Sequence, residues 1–316
     1  MQIVVIGAGA IGSVYGAKLS ARHEVTLVGR PAHVAAIQQH GLRLEGGTVG
    51  TYAVHATTTL ASVGPGSLVL VTTKVNDTAA AMAPVAPLLP NDATVLCVQN
   101  GLYSERIVRD MVGGRVVTLR AITQFGGSVR TPGVVSDVVN GYTLVEPHER
   151  GPDLAAVLTE SGLDGRVTDD MKRDMWRKVI FNCVINPITA IVESPVGGIS
   201  APGLVPLKRL VIDECLAVAR ADGVAFDVDF VAVIDEIFGT LTNVASMLQD
   251  LSKGRRTEID HLNGAVAALG AGYGIDCPVN RALTAIIRAL EAEARSRSRT
   301  SASPQETVKV TGCESA

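Results

Sequence analysis

The chain has 316 residues, which at roughly 150 residues per domain implies two domains. Hydrophobic residues make up 47% of it and charged residues 19%, enough apolar weight for two cores, while aromatics, at 3%, are too few for the stacking platform of a single-strand nucleic-acid reader. A formal net charge of −3 argues against nucleic acid or an anionic membrane as the main partner.

Residues 2 to 6 (QIVVI) form a short β-branched run, followed by glycines and a helical stretch from Ala10 to Ala21. Further strands are expected at Glu24 to Val28, Leu68 to Val71, Thr94 to Val98 and Val116 to Leu119, with helical stretches between them. Strands alternating with helices mean βαβ units and a parallel sheet. From Phe125 to Val145 short runs rich in Gly, Val and Thr read as antiparallel strands closing the first domain, which is expected to span residues 1 to 168. Residues 169 to 295 show helical stretches broken by Pro and Gly, so the second domain is expected to be all-helical. The Ser/Arg/Thr-rich residues after Glu293 lack apolar periodicity, and 296 to 316 are expected to be a disordered tail. No internal repeat is present.

The five cysteines, at 97, 183, 215, 277 and 313, are odd in number and include no C-x-x-C pair. That spacing suits a reducing compartment and argues against a disulfide framework or a zinc site. The N-terminus has no basic region, and no uncharged apolar run reaches about 18 residues, so a cytosolic protein is expected.

Gly7, Ala8, Gly9, Ala10, Ile11 and Gly12 spell G-x-G-x-x-G directly after a buried strand and at the opening of a helix. The first glycine permits a tight turn, the second lets the backbone approach a pyrophosphate, and the third packs helix on strand. Anionic oxygens would rest on the helix N-terminus. Where NAD-binding chains place an acidic residue at the end of the second strand, this chain has Arg30, whose guanidinium suits a ribose 2′-phosphate; an ordinary solvated strand-end arginine is the alternative. Lys74 follows the next buried strand on the ligand side and is expected to reach the same phosphate. Asn100, in Gln99-Asn100-Gly101, ends another strand there, either at the site or as a simple turn.

In the second domain Lys178, Asn182 and Asn186 recur every four residues, with only apolar residues between them from 179 to 181 and 183 to 185. A step of four drifts by about 40° around a helix, so the three make a narrow polar line on an otherwise apolar helix. That line borders either a polar cleft or a set of internal hydrogen bonds, and a lysine there needs a counter-ion or a task. Downstream, Thr257 followed by Asp260 reads as a capping box with Glu258 in the first helical turn.

Four stretches together resemble the ketopantoate reductase (2-dehydropantoate 2-reductase) family: IGAGAIGS, the QNG at 99 to 101, W-R-K-x-x-x-N-C-V-I-N-P-I-T-A from Trp176 to Ala190, and S-M-L-Q-D…G-R-R-T-E-I-D from Ser246 to Asp260. The resemblance runs to about residue 295. It implies a Rossmann-type doubly wound α/β domain followed by an all-helical domain, as in 6-phosphogluconate dehydrogenase. It further implies reduction of 2-dehydropantoate to (R)-pantoate with NADP(H), by hydride addition to the C2 carbonyl. Carried over by position, Lys178 would be the general acid, Asn182, Asn186 and Ser246 would hold substrate, and Glu258 would lie between substrate and cofactor. Gly7 to Gly12, Asn100 and Gly127 would bind the dinucleotide. Many members carry Asn where this chain has Val196, which leaves open another branched 2-oxo acid as substrate. A non-catalytic NADP(H)-binding sensor is the rival from another class, and a homodimer is left open.

Overall fold

The computed structural model describes residues 1–139 and 141–301, without the side chains of 298–301. The first part runs β1 (Gln2–Ile6), α1 (Ala10–Leu19), β2 (Glu24–Val28), α2 (Pro31–His40), β3 (Leu42–Gly46), β4 (Gly50–Tyr52), β5 (His55–Thr57), β6 (Leu68–Val71), α3 (Val75–Met82), β7 (Thr94–Cys97), α4 (Glu105–Val112) and β8 (Val117–Thr123). It continues with β9 (Gly126–Thr131), β10 (Val134–Val139), β11 (Thr143–Val145), α5 (Gly151–Glu160) and β12 (Gly165–Val167). The remainder is helical: α6 (Met171–Ile191), α7 (Val205–Ala221), α8 (Phe230–Phe238), α9 (Ser246–Ser252), α10 (Asn263–Gly272) and α11 (Pro278–Ser301), with short 3₁₀ turns between.

Eight strands form one sheet in the order β12-β11-β8-β7-β6-β1-β2-β5. All its pairings are parallel except β11 with β8. The four residues of β6 and of β7 are all fully buried, as parallel strands covered on both faces must be. From β1 the chain goes first to β2 on one side and later to β6 on the other. The carboxyl ends of β1 and β6 therefore flank a topological switch point, where open α/β sheets leave a ligand crevice. This is the expected doubly wound α/β fold with a helical second part.

Two sequence expectations change. The strands between Phe125 and Val145 do not all close the main sheet. The hairpin β9–β10 pairs with β3, and β3 with β4, as a separate four-stranded sheet against α1; only β11 returns to β8. Strands β3 to β5 were not foreseen because each is only three to five residues long, too short for a period-two signal. At the other end, α11 continues through Ser301, past the point where a disordered tail was expected. The stretch is rich in Ala, Glu and Arg, all good helix formers, and Arg295 pairs with Glu291 at 3.6 Å and Arg297 with Glu293 at 3.0 Å, one turn apart. Residues 302 to 316 lie outside the described residues, as does Cys313.

The helical part has its own core around α6, including fully buried Trp176, Ile180, Cys183 and Val184. Among the described residues no helix is long and apolar enough to cross a membrane, and no three His, Cys, Asp or Glu side chains are grouped to hold a metal ion.

Candidate active site

The glycine-rich turn is built as its residue types require. Gly7 lies at φ +104, and a Cβ there would come within 2.7 Å of the Thr73 backbone nitrogen. A Cβ on Gly12 would overlap the Gly7 carbonyl oxygen and the Thr72 hydroxyl, so the third glycine lets α1 settle on the end of β1. Thr72 clamps the same turn by donating to the Gly7 carbonyl at 2.9 Å. Gly9 differs: it is exposed, and the space its Cβ would enter holds nothing nearer than the Gly7 oxygen at 4.0 Å. Gly9 is also the N-cap of α1, with no side chain capping the helix, so backbone N–H groups of the first turn face that open space. A diphosphate fits there. Gly127 of β9 packs against the same end of α1, where a Cβ would lie 3.7 Å from Ala10 Cβ and 2.8 Å from the Ser136 oxygen.

Three strand ends surround the turn. Arg30, at the end of β2, is the N-cap of α2 and is exposed, with Asp77 of α3 3.5 Å away. Lys74, after β6, forms a 2.5 Å ion pair with Asp250 of α9 and donates to the Arg256 carbonyl at 3.1 Å. Asn100, after β7, donates from Nδ2 to Glu258 Oε2 at 3.1 Å. The other Glu258 oxygen accepts the Val75 N–H, at the first turn of α3, at 3.4 Å. Asn76 adds a bond from Nδ2 to the Thr257 carbonyl at 3.0 Å and shares another with His261 Nε2 at 2.8 Å. The strand ends of the first part are thus docked against residues 250 to 261 of the second. Gly101, at φ +87, is required by this contact, since a Cβ would fall 2.7 Å from the His261 carbonyl oxygen.

The polar line of α6 enters from the opposite side. Lys178 Nζ donates to the Thr123 carbonyl at the end of β8. Burial pushes its ammonium down to about 8, with the Arg120 guanidinium acting in the same direction and Glu258 opposing. Asn186 is buried and Asn182 partly so, and among the described residues neither carboxamide has a side-chain partner. Ser246 opens α9 and is exposed. Among the sequence-expected residues, Asn100, Glu258 and Lys178 converge, Gly7 to Gly12 and Gly127 gather at the first turn of α1, and Arg30 stands apart at the rim.

The capping box is a misreading. Thr257 Oγ1 does accept the Ile259 N–H, at 3.3 Å, but the hydroxyl donates to Glu291 of α11 at 2.6 Å. Asp260 turns outward to Arg256 at 2.9 Å and Arg288 at 2.7 Å. Only a 3₁₀ turn, Ile259–His261, follows Glu258, because the carboxylate of Glu291 takes the Thr257 groups that would begin an α-helix.

Sequence reasoning also missed Arg120, in an apolar strand whose one charge carried no motif. It is buried, paired with Glu105 at 3.1 Å, and donates to the carbonyls of Gln99 at 2.7 Å and Gly101 at 2.8 Å. It therefore holds both sides of Asn100 while its charge faces Lys178. A lone arginine in a VTLRAIT strand was the available signal.

Residues 3–150 match the family model of ketopantoate reductase PanE/ApbA, and residues 170–291 match that of the ketopantoate reductase PanE/ApbA C terminal. The 2-dehydropantoate 2-reductase of Pyrococcus horikoshii is 34% identical over 299 residues, covering 92% of this chain and 98% of that protein. That of Archaeoglobus fulgidus is 33% identical over 303 residues, with 92% and 98% covered. The crystal structure of a PanE/ApbA family ketopantoate reductase from Ralstonia eutropha superposes with a TM-score of 0.85 at 35% identity, covering 93% of this chain and all of that one. D-mandelate dehydrogenase in a ternary structure with NADH and anilino(oxo)acetate gives a TM-score of 0.84 at 27% identity, covering 93% and 99%. A dinucleotide cradle at a sheet switch point, faced by a helical part carrying Lys178 and Glu258, thus belongs to a chain related along nearly its whole length to these reductases: the protein is a member of the ketopantoate reductase family, oxidoreductases that work with a nicotinamide cofactor.

Proposed function

We propose that the protein reduces 2-dehydropantoate to (R)-pantoate with NADPH, a step toward pantothenate and coenzyme A. The observation that carries this reading is Lys178, an ammonium on an apolar helix held down to about 8 and aimed at the strand ends where Asn100 and Glu258 meet. Residues 1 to 168 would bind the dinucleotide, and residues 169 to 295 would supply the groups for the substrate.

Reduced nicotinamide, when bound, supplies the hydride that adds to C2 of the oxo acid. Lys178 Nζ gives its proton to the C2 oxygen as charge gathers there, leaving a hydroxyl and a neutral amine that water recharges. A lysine near 8 suits this task better than one near its usual 10.5, because it is still protonated at neutral pH yet releases the proton more readily. Glu258 supports it by favouring the ammonium form against burial. Asn182 and Asn186 offer carboxamide N–H groups to the substrate carboxylate, and Ser246 offers a hydroxyl to its hydroxyl group. Gly7 to Gly12 cradle the diphosphate, with Gly127 beside them and Asn100 toward the nicotinamide. Arg30 would hold the ribose 2′-phosphate, with Lys74 as the second cation on that side of the sheet. The described cysteines, all buried and free, suit a reducing cytosolic compartment.

A second reading is the same chemistry on a different 2-oxo acid. Val196, an apolar side chain buried at 5% exposure where the family resemblance leads one to expect Asn, and the likeness to D-mandelate dehydrogenase favour it. Loss of reduced-nicotinamide absorbance, measured with 2-dehydropantoate, 2-oxoisovalerate and phenylglyoxylate and with NADPH or NADH, decides between them. The highest kcat/KM is expected for 2-dehydropantoate with NADPH. No preference for that acid supports the second reading, and no turnover with any of them leaves a binding protein.

A further inference from the structure

Pro187 lies inside α6, four residues after Cys183. Proline has no N–H, so the Cys183 carbonyl lacks the donor that residue i+4 gives other carbonyls within a helix, and the ring presses against it. The carbonyl is nevertheless paired. Asn263 of α10, fully buried, donates to it from Nδ2 at 3.0 Å. The same nitrogen donates to Asn280 Oδ1 of α11 at 2.9 Å. Asn280, also fully buried, is fixed in turn by Glu214 of α7, whose Oε2 accepts its side-chain N–H at 2.7 Å and its backbone N–H at 2.9 Å. Both neighbours of the Asn263 nitrogen are acceptors, which sets the orientation of the amide and leaves Asn263 Oδ1 buried without a partner.

Cys183 falls between Asn182 and Asn186, so the place where proline removes a helical hydrogen bond is also the place where the polar line must keep its register. Asn263 follows Glu258 by five residues. We propose that Asn263 is a positioning residue: by pairing the carbonyl that Pro187 leaves without a donor, it fixes the course of α6 between Asn182 and Asn186 and ties that turn to the segment carrying Glu258. This rests on the roles given above to Lys178, Asn182, Asn186 and Glu258. Asn263 touches none of the reacting atoms and acts through the helix.

The test pairs Asn263→Leu and Asn263→Asp with Pro187→Ala, which restores an N–H at position 187. Asn263→Leu is expected to lower kcat/KM for the oxo acid by roughly 10- to 100-fold while leaving the cofactor KM within about twofold. Asn263→Asp is expected to be worse, because a carboxylate faces two acceptors. In the Pro187→Ala background the Asn263→Leu loss shrinks, since the carbonyl then has its helical donor. Three results would each overturn the proposal: single effects that simply multiply in the double variant, cofactor and substrate parameters that fall together, or an Asn263 variant that fails to fold in both backgrounds. An Asn263 variant that folds only with Pro187→Ala supports it. If the wild-type enzyme turns over no 2-oxo acid, the functional reading falls, and non-additivity of the same variants in urea unfolding still decides whether the tether exists.

Discussion

Asn100 and Glu258, 158 residues apart in sequence, meet through a 3.1 Å hydrogen bond from the carboxamide to the carboxylate. The bond joins the end of a central strand to the loop after α9, and the second Glu258 oxygen rests on the N-terminus of α3. A carboxylate is well placed at a helix N-terminus, where the dipole and the free N–H groups favour negative charge. Lys178 reaches the same region from α6, so the reactive groups are assembled only where the two parts of the chain touch.

For Lys178→Ala, loss of a positioned proton donor is expected to lower kcat by ~10²- to 10⁴-fold with cofactor binding retained. Steady-state kinetics with 2-dehydropantoate check this, and a variant with near-normal kcat would falsify the assignment.

The pH dependence has a definite sign. Because Lys178 must be protonated to act, kcat is expected to fall as pH rises through about 8. Stability runs the other way. The folded-state value lies below the ordinary 10.5, so between about 8 and 10.5 the unfolded chain binds more protons and the stability of the folded enzyme rises with pH. The cost of holding the charged lysine, at most about 3 kcal/mol, applies in full below the folded value. Urea unfolding of Lys178→Met and wild type should therefore differ most at neutral pH, with the variant more stable, and converge toward pH ~10.

Arg120 lowers the Lys178 value through its charge, so replacing it with a neutral residue should move the alkaline limb of the kcat profile to higher pH. The same change takes from Glu105, at 5% exposure, its 3.1 Å partner while leaving Arg109 at 3.8 Å, and should destabilise the fold by about 1.5–3 kcal/mol. Arg120→Gln is the variant to use, and an unmoved limb in a folded protein would refute the electrostatic link.

Arg30→Ala tests the cofactor preference. Charge-assisted hydrogen bonds of about 1.5–3 kcal/mol correspond to roughly a 10- to 100-fold rise in the KM for NADPH, with little change for NADH. Equal effects on the two cofactors would mean that Arg30 does not read the 2′-phosphate.

Two glycines of one motif should behave differently. Gly12→Ala drives a methyl into the Gly7 carbonyl and Thr72, costing about 1–3 kcal/mol in thermal or urea unfolding and disordering the turn. Gly9→Ala meets nothing in the protein and should keep stability within about 0.5 kcal/mol. It should still weaken dinucleotide binding, by roughly tenfold or more, because the methyl occupies the space where the diphosphate approaches. Dinucleotide titration of a stable Gly9→Ala with unchanged affinity would show that the anion lies elsewhere.

The chain by itself determined whatever is written in local spacing. The G-x-G-x-x-G after a five-residue strand, the buried parallel strands and the four-residue interval of Lys178, Asn182 and Asn186 each occupy a single element, so periodicity and residue type suffice to find them. The tertiary structure alone decided what depends on groups brought together from far apart. Thr257 looked like a helix cap until Glu291, 34 residues on, took its hydroxyl and its N–H. Lys74 was expected at the cofactor phosphate, and the structure pairs it with Asp250; Arg120 showed only as a lone charge in an apolar strand, because its partners are the carbonyls of another strand end. A hydrogen bond or an ion pair is satisfied by whichever partner packing delivers, and the delivery is fixed by how β-strand ends and helices meet, which no window of sequence contains.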